Sequence, residues 1–245
     1  MALTRSLPLL ATGVVACSTA LAEGYTGDLG LGVFSRQGIY RGESTRTDVL
    51  PYVYGQWGRL FGRIDTFGVQ ALPVGHGFLE VSTRIVQDGM NGDSLKNAGV
   101  RNRKNSQLLG LSTFQTTPIG AVSLSLMQDV GNSKGQFADA SWIGVFKPTS
   151  WLSIYPELGV EVLSGKYTDY HYGVNAGEGG YMAYRAHAAV NPYAAIHTSS
   201  PLAPKWNLAF TLRHKWLSKE ISDSPIVVDA SSRWNGYVAV SYQFE

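Results

Sequence analysis

The chain has 245 residues, with 20 Lys and Arg against 18 Asp and Glu, and a formal net charge of +2. That balance leaves no broad basic surface for nucleic acid, and no partner of that class is expected. Only 16% of residues are charged, Gly (28) and Tyr (13) are abundant, and the mean hydropathy is −0.05, which argues against spans made of apolar helices.

The N-terminus reads as an export signal. Arg5 supplies the positive charge, Leu7 to Cys17 an apolar stretch interrupted by Pro8 and Gly13, and Ala20-Leu21-Ala22 a small-x-small cleavage site. Residues 1–22 are therefore expected to be a signal peptide and residues 23–245 one domain. Val14-Val15-Ala16-Cys17 offers an alternative, processing that leaves a lipidated Cys17. If Cys17 leaves with the signal, disulfides, thiol catalysis and thiolate metal ligands go with it.

Beyond residue 23 the chain alternates apolar with polar or small residues in short segments. Side chains on a strand point to opposite faces with period two, so each such segment has one apolar side. Leu29, Leu31 and Val33 begin the series, followed by candidate strands over Val49–Trp57 and Arg59–Gln70. Leu79 to Ile85, Ser106–Gln115, Val122 to Leu126, Gln136–Lys147 and Leu152 to Val162 come next. Tyr184–Thr198, Trp206 to Trp216 and Arg233 to Phe244 complete them. The last is the clearest, with Trp234, Val238, Val240, Tyr242 and Phe244 on one face and Asn235, Ala239, Ser241 and Gln243 on the other.

These eleven segments predict an all-β protein, a transmembrane antiparallel up-and-down β-barrel, whose average hydropathy is low because half of each strand faces water. Bacterial barrels close with an even strand number. Phe61, Arg63, Asp65 and Phe67 share a face and spoil the pattern between residues 25 and 86. One strand is expected to be misread there, making twelve, with ten as the alternative. Residues 116–120, 148–150 and 199–205 read as tight turns, whereas Asp88–Lys104, Ser164–Ala183 and Ser218–Ser231 are long, polar and glycine-rich. Outer-membrane barrels have short periplasmic turns and long external loops, which places these three outside the cell and the C-terminus in the periplasm. Trp142, Trp151, Tyr155, Tyr193, Trp206, Trp216 and Trp234 are candidates for the interfacial girdles.

Three stretches in order, Tyr40-Arg41-Gly42, Tyr170-His171-Tyr172-Gly173-Val174 and Asp223-Ser224-Pro225-Ile226-Val227, precede a closing strand that ends Tyr242-Gln243-Phe244. As an ordered set the sequence resembles the MipA/OmpV family, the MltA-interacting proteins, over nearly the whole chain beyond residue 40. Glu245 after the terminal aromatic, and His171 where a third tyrosine often stands, depart from the family pattern. The resemblance implies a bacterial outer-membrane barrel without catalytic activity, a scaffold joining a murein transglycosylase to a penicillin-binding protein. The alternatives are a surface adhesin or ligand-binding protein using the external loops, then a narrow diffusion porin, and last an outer-membrane lipid hydrolase.

No residue qualifies as catalytic, cofactor-binding or metal-ligating, and no cofactor is expected. His76, His171, His187, His197 and His214 include no pair at zinc-motif spacing. Glu80, Arg84, Glu157, Glu161, Arg213 and Lys215 fall on the expected lumen face, where charges pair because lone ones are costly. Lys96, Arg101, Arg103 and Lys104 form a basic loop that could meet lipopolysaccharide phosphates. Tyr167, Tyr170, Tyr172 and Tyr181 with Gly173, Gly177, Gly179 and Gly180 form an aromatic-glycine loop suited to binding sugars or proteins, or to packing as a lid. A monomer surrounded by outer-membrane lipid and lipopolysaccharide is expected.

Overall fold

The computed structural model describes residues 24–90, 93–228 and 231–245. The expected signal peptide and Cys17 lie outside the described residues. Among the described residues twelve antiparallel strands form one sheet, each hydrogen-bonded to its neighbours in chain order. They are β1 (Tyr25–Arg36), β2 (Arg46–Trp57), β3 (Leu60–Arg63), β4 (Thr66–Val74), β5 (Gly77–Val86) and β6 (Ser106–Thr117). β7 (Gly120–Asp129) is followed by β8, which is broken at Val145 into Gln136–Gly144 and Phe146–Thr149, both pieces pairing with β9 (Leu152–Leu163). β10 (Ala189–Ala203), β11 (Trp206–Trp216) and β12 (Ser232–Phe244) complete the set. β12 pairs with β1 from Phe244↔Gly27 to Asn235↔Arg36, which closes the barrel and removes the free edges of an open sheet. Among the described residues no helix is long and apolar enough to cross a membrane.

The twelfth strand is hidden inside Arg59–Gln70. β3 is only four residues long, and the chain reverses at Ile64-Asp65 before β4 pairs back on it from Arg63↔Thr66 to Leu60↔Val69. The expected count of twelve holds, and the failed alternation has a cause. Phe61 and Arg63 face the lumen, but the reversal resets the parity, so Phe67 faces out. The turn carries none of the usual glycine signals. Ile64 takes φ 64° at a position hairpins normally give to Gly.

The five turns at the other end, at residues 58–59, 75–76, 118–119, 150–151 and 204–205, each have two residues. The stretch 199–205, read as a turn, is mostly the lower end of β10, with its reversal at Pro204-Lys205. The candidate strand over Tyr184–Thr198 starts later, at Ala189, because Tyr184 bridges back to Val174 in a loop.

Leu31, Val33, Val49, Val81, Leu126, Leu158, Ile196, Val238 and Val240 are exposed on the outer face, where a bilayer would cover them. Trp206, Trp216 and Trp234 stand outward at strand ends, as girdle residues should. Tyr193 and Tyr155 do not belong with them. They pair across strands with Lys215 and His197 and face the lumen, where Tyr193 is buried.

A charged lumen wall and a folded lid as the candidate functional site

Ion pairs line the lumen wall, each joining two strands that have one strand between them. The Arg63 guanidinium grips Glu80 with two bonds, of 2.9 and 2.7 Å, and stacks over Phe61 and Phe114 at 4.2 and 4.9 Å. Ser112 donates to the same carboxylate at 3.0 Å. Two strand pairs further round, Glu157 is a hub. It lies 2.9 Å from His197 Nε2 and 3.0 Å from Arg213, and it accepts from the Tyr193 hydroxyl at 3.3 Å. Tyr193 also donates to Asp139 at 3.1 Å, under the Arg213 guanidinium 4.4 Å from its ring centre. Lys215 bonds Glu161 at 2.5 Å. The six charges expected on the lumen face are there, and four of them pair across β9 and β11. Gly159 makes the hub possible, since a Cβ there would lie 2.3 Å from the Tyr193 ring.

The external loops fold over the mouth around a core of their own. The β1–β2 loop (37–45), the β5–β6 loop with α1 (Ser94–Asn97), the β9–β10 loop with α2 (Gly165–Tyr172) and the β11–β12 loop with α3 (Lys219–Ser222) contribute to it. Ile39, Tyr40, Leu95, Val100, Tyr167, Tyr172, Ile221, Ile226 and Val227 are buried together with Leu108, Met127 and Phe137 of the upper strands. α2 starts at Ser164, whose Oγ accepts from the Tyr167 N–H, and buries Tyr167, Thr168, His171 and Tyr172 on its inner face.

The three stretches that carried the family resemblance meet in this lid. Tyr40 bridges to Val227, the Arg41 N–H donates to the Ile226 carbonyl at 2.9 Å, and the Arg41 Nε to the Pro225 carbonyl at 2.7 Å. The Tyr40 hydroxyl donates to the His171 and Asp88 carbonyls at 3.2 and 3.1 Å, and its ring stacks on Tyr172 with centroids 5.8 Å apart. Ser224 donates to the Tyr172 carbonyl at 2.6 Å. Residues separated by more than a hundred positions thus specify one another.

At the lid's centre the Asp88 carboxylate accepts from the Ser106 N–H and hydroxyl at 3.1 Å each, and from the Tyr167 hydroxyl. Ser106 Oγ also lies 2.9 Å from His171 Nε2. A hydrolytic relay needs the carboxylate on the ring nitrogen opposite the one facing the hydroxyl. Here Asp88 sits on the Nε2 side at 3.4 Å, and Nδ1 is buried without a hydrogen-bond partner among the described residues. The cluster is built as a polar lock. Burial pushes the His171 imidazole below its usual pKa against the pull of Asp88, so the ring is neutral at pH 7.

The basic loop is only partly free to meet lipopolysaccharide. Arg103 is fully buried, bonded to Glu178 at 2.9 Å, to the Gly173 carbonyl at 2.6 Å and to the Arg101 carbonyl. Burial would raise the Glu178 carboxyl, but bonds from the Asn175 and Arg101 N–H groups and from Arg103 hold it below the ordinary range. The tyrosine-glycine loop takes the lid arrangement. His76 and His187 are exposed, and His214 lies outward between the rings of Trp216 and Trp234, at 4.6 and 4.2 Å. Among the described residues no group of acidic, His or Cys side chains is placed to hold a metal ion.

Fold and site together define a class, a closed twelve-stranded β-barrel with paired charges on its lumen wall and a lid packed over one mouth. The chain belongs to the MipA family (MltA-interacting protein MipA), whose family model matches residues 29–244. It is 29% identical over 148 residues to the MltA-interacting protein of Escherichia coli K12, a match covering 58% of this chain and 58% of that protein. It is 25% identical over 228 residues to the protein YiaT of E. coli K12, covering 88% and 90% of the two chains. Outer membrane protein Omp26La of Vibrio anguillarum is 24% identical over 209 residues, covering 84% and 76%. Pseudomonas putida OprB, solved at high pH, aligns with TM-score 0.40 and 10% identity over 95% of this chain and 97% of its own, a likeness too slight to argue from.

Proposed function

We propose that this barrel is an interaction scaffold of the outer membrane that engages a murein transglycosylase, and with it a penicillin-binding protein, from its periplasmic rim. On this reading the chain is exported, cleaved after Ala22 and monomeric in outer-membrane lipid and lipopolysaccharide. The lid carries the inference. A barrel whose outer mouth is packed with its own apolar core is poorly suited to passing solutes from one side to the other, which leaves its surfaces as the working parts. The name of the E. coli relative supports the same partner class.

Two-residue turns alone are too small for a specific interface, which buries ~1,200–2,000 Å² in total. The rim adds exposed apolar side chains: Ile119 (72% exposed), Trp151 (59%), Phe146 (58%) and Leu202 (56%). The test is cross-linking in intact envelopes followed by capture of the tagged barrel. Recovery of a murein transglycosylase by the native chain, and its loss with Ile119→Asp plus Leu202→Asp, supports the scaffold. Recovery of no cell-wall enzyme, or recovery indifferent to the rim, overturns it. In planar bilayers a large, stable open conductance would likewise sink the sealed-barrel premise.

A further inference from the structure

The register of four neighbouring strands gathers cations on one wall of the upper lumen. β11 pairs Lys215 with Arg233 and Arg213 with Asn235, β12 pairs Asn235 with Arg36, and β1 pairs Arg36 with Arg46. Alternation fixes the facing of each. Arg233 shares its face with Tyr237, Ala239 and Ser241, and Arg36 shares its face with Asp28 and Phe34, all lumen residues. The wall from β11 to β2 therefore carries Arg213, Lys215, Arg233, Arg36 and Arg46 beneath the lid.

Acids neutralise three of the five. Arg213 pairs with Glu157, Lys215 with Glu161, and Arg46 with Asp48 at 2.6 Å. Arg36 and Arg233 are different. Both Nη atoms of Arg36 and the Nε of Arg233 are buried and have no hydrogen-bond partner among the described residues. The two guanidiniums feel each other's charge, and the fields of Glu43 and Asp88 reach Arg36. Asp88 is already committed to Ser106 and Tyr167. Two adjacent guanidiniums with buried, idle donors are costly twice over, through repulsion and through unmade hydrogen bonds.

We propose that Arg36 and Arg233 form a binding site for a small oxyanion, a carboxylate or phosphate group, seated in the upper lumen under Tyr172. A planar fork with two free Nη donors matches two oxygens of one such group, a geometry that a spherical ion does not satisfy. The anion enters from the periplasmic half of the lumen, where Asp28, Tyr54, Gln56 and Arg63 line a cavity of about 300 Å³. The lid closes the other route.

The experiment is calorimetric titration of the purified, folded barrel in detergent with inorganic phosphate and, separately, acetate, at constant ionic strength held with sodium chloride. One-to-one binding of phosphate assigns a phosphate-type ligand, and binding of acetate alone a carboxylate. Arg36→Met and Arg233→Met should each weaken that binding about tenfold or more, Arg36→Lys should weaken it less, and Lys147→Gln at the exposed rim should leave it unchanged. Folding is followed by the gel mobility shift on heating. Without ligand, Arg36→Met should unfold at a higher temperature than the native chain, because one of two repelling cations is gone. Failure of both anions to bind, or binding that both methionine substitutions leave intact, overturns the site. Neither outcome bears on the cell-wall partner, which the envelope capture tests separately.

Discussion

Arg103→Met tests whether the lid is a separately stabilised unit clamped by one buried cation. The guanidinium is fully buried and ties the β5–β6 loop to the β9–β10 loop through Glu178 and the Gly173 carbonyl. Breaking a buried ion pair by removing one partner costs ~3–5 kcal/mol. The cost is smaller here, because Glu178 keeps the Arg101 and Asn175 N–H donors at 2.9 Å each and has the Arg101 side chain 3.7 Å away. Methionine also refills most of the volume. About 2 kcal/mol remains, mostly from the stranded Gly173 carbonyl and the weakened carboxylate site, and it corresponds to a roughly 30-fold shift in the opening equilibrium. Hydrogen exchange of the barrel in lipid nanodiscs reads this directly. Amides of α2 and residues 173–174 should exchange about 30-fold faster while the ladders of β5 to β11 keep their protection, since local opening need not involve the barrel. If α2 exchange rises less than about threefold, the clamp does not hold the lid. If strands and lid lose protection together, the lid is not a separate unit.

Acidification should loosen the same lid. His171 has a folded-state pKa below its usual 6.5, so the open form binds the proton better, and lid stability is complete above that value and lost as pH falls through the window beneath it. The loss is at most ~1.4 kcal/mol per pH unit, and Glu178, lowered from 4.5, adds a second loss at still lower pH. Protection factors of the lid amides, taken relative to intrinsic exchange at each pH, should fall between pH 7.5 and 5, and His171→Gln should flatten that segment of the profile. Gly159→Ala drives a Cβ into the Tyr193 ring and should lower the thermal midpoint of the detergent-solubilised barrel by an amount equivalent to ~1–3 kcal/mol; an unchanged midpoint would show that the ring has room to move. Glu157→Gln removes the charge facing Arg213 in a lumen that leaves the Arg213 side chain 27% exposed, so the cost is nearer ~1–2 kcal/mol than the fully buried figure. Adding Arg213→Met should recover part of it, and strict additivity of the two losses would deny the pairing.

Alternation made most of the barrel legible, because period two survives wherever one face meets lipid and the other meets the lumen. It failed where a local rule was broken. The Ile64-Asp65 reversal uses a β-branched residue in a left-handed conformation, so no glycine marked it. Ile64 is held there by packing with the cluster of Tyr52, Ala209 and Ala239, a tertiary contact that a linear pattern cannot carry. Tyr193 was misplaced for a related reason. Tyrosine suits both a girdle and a polar lumen, and only the register Tyr193↔Lys215 decides between them.

The lid was legible in pieces and illegible as a unit. Tyr40, the Tyr170–Val174 stretch and the Asp223–Val227 stretch each read as an isolated motif, and Asp88 and Ser106 as ordinary loop and strand residues. What joins them is long-range: Tyr40 reaches across 131 positions to the His171 carbonyl, and Arg41 across 184 to Pro225. Barrel closure brings β1 beside β12, which sets the first external loop against the last, and α2 then fills the gap between them with Tyr172 and His171. The same closure places Arg36 two strands from Lys215, so the cationic wall and the lid above it share one cause. A sequence pattern can assign each strand's faces, but the meeting of its first and last loops follows only once the ring is closed.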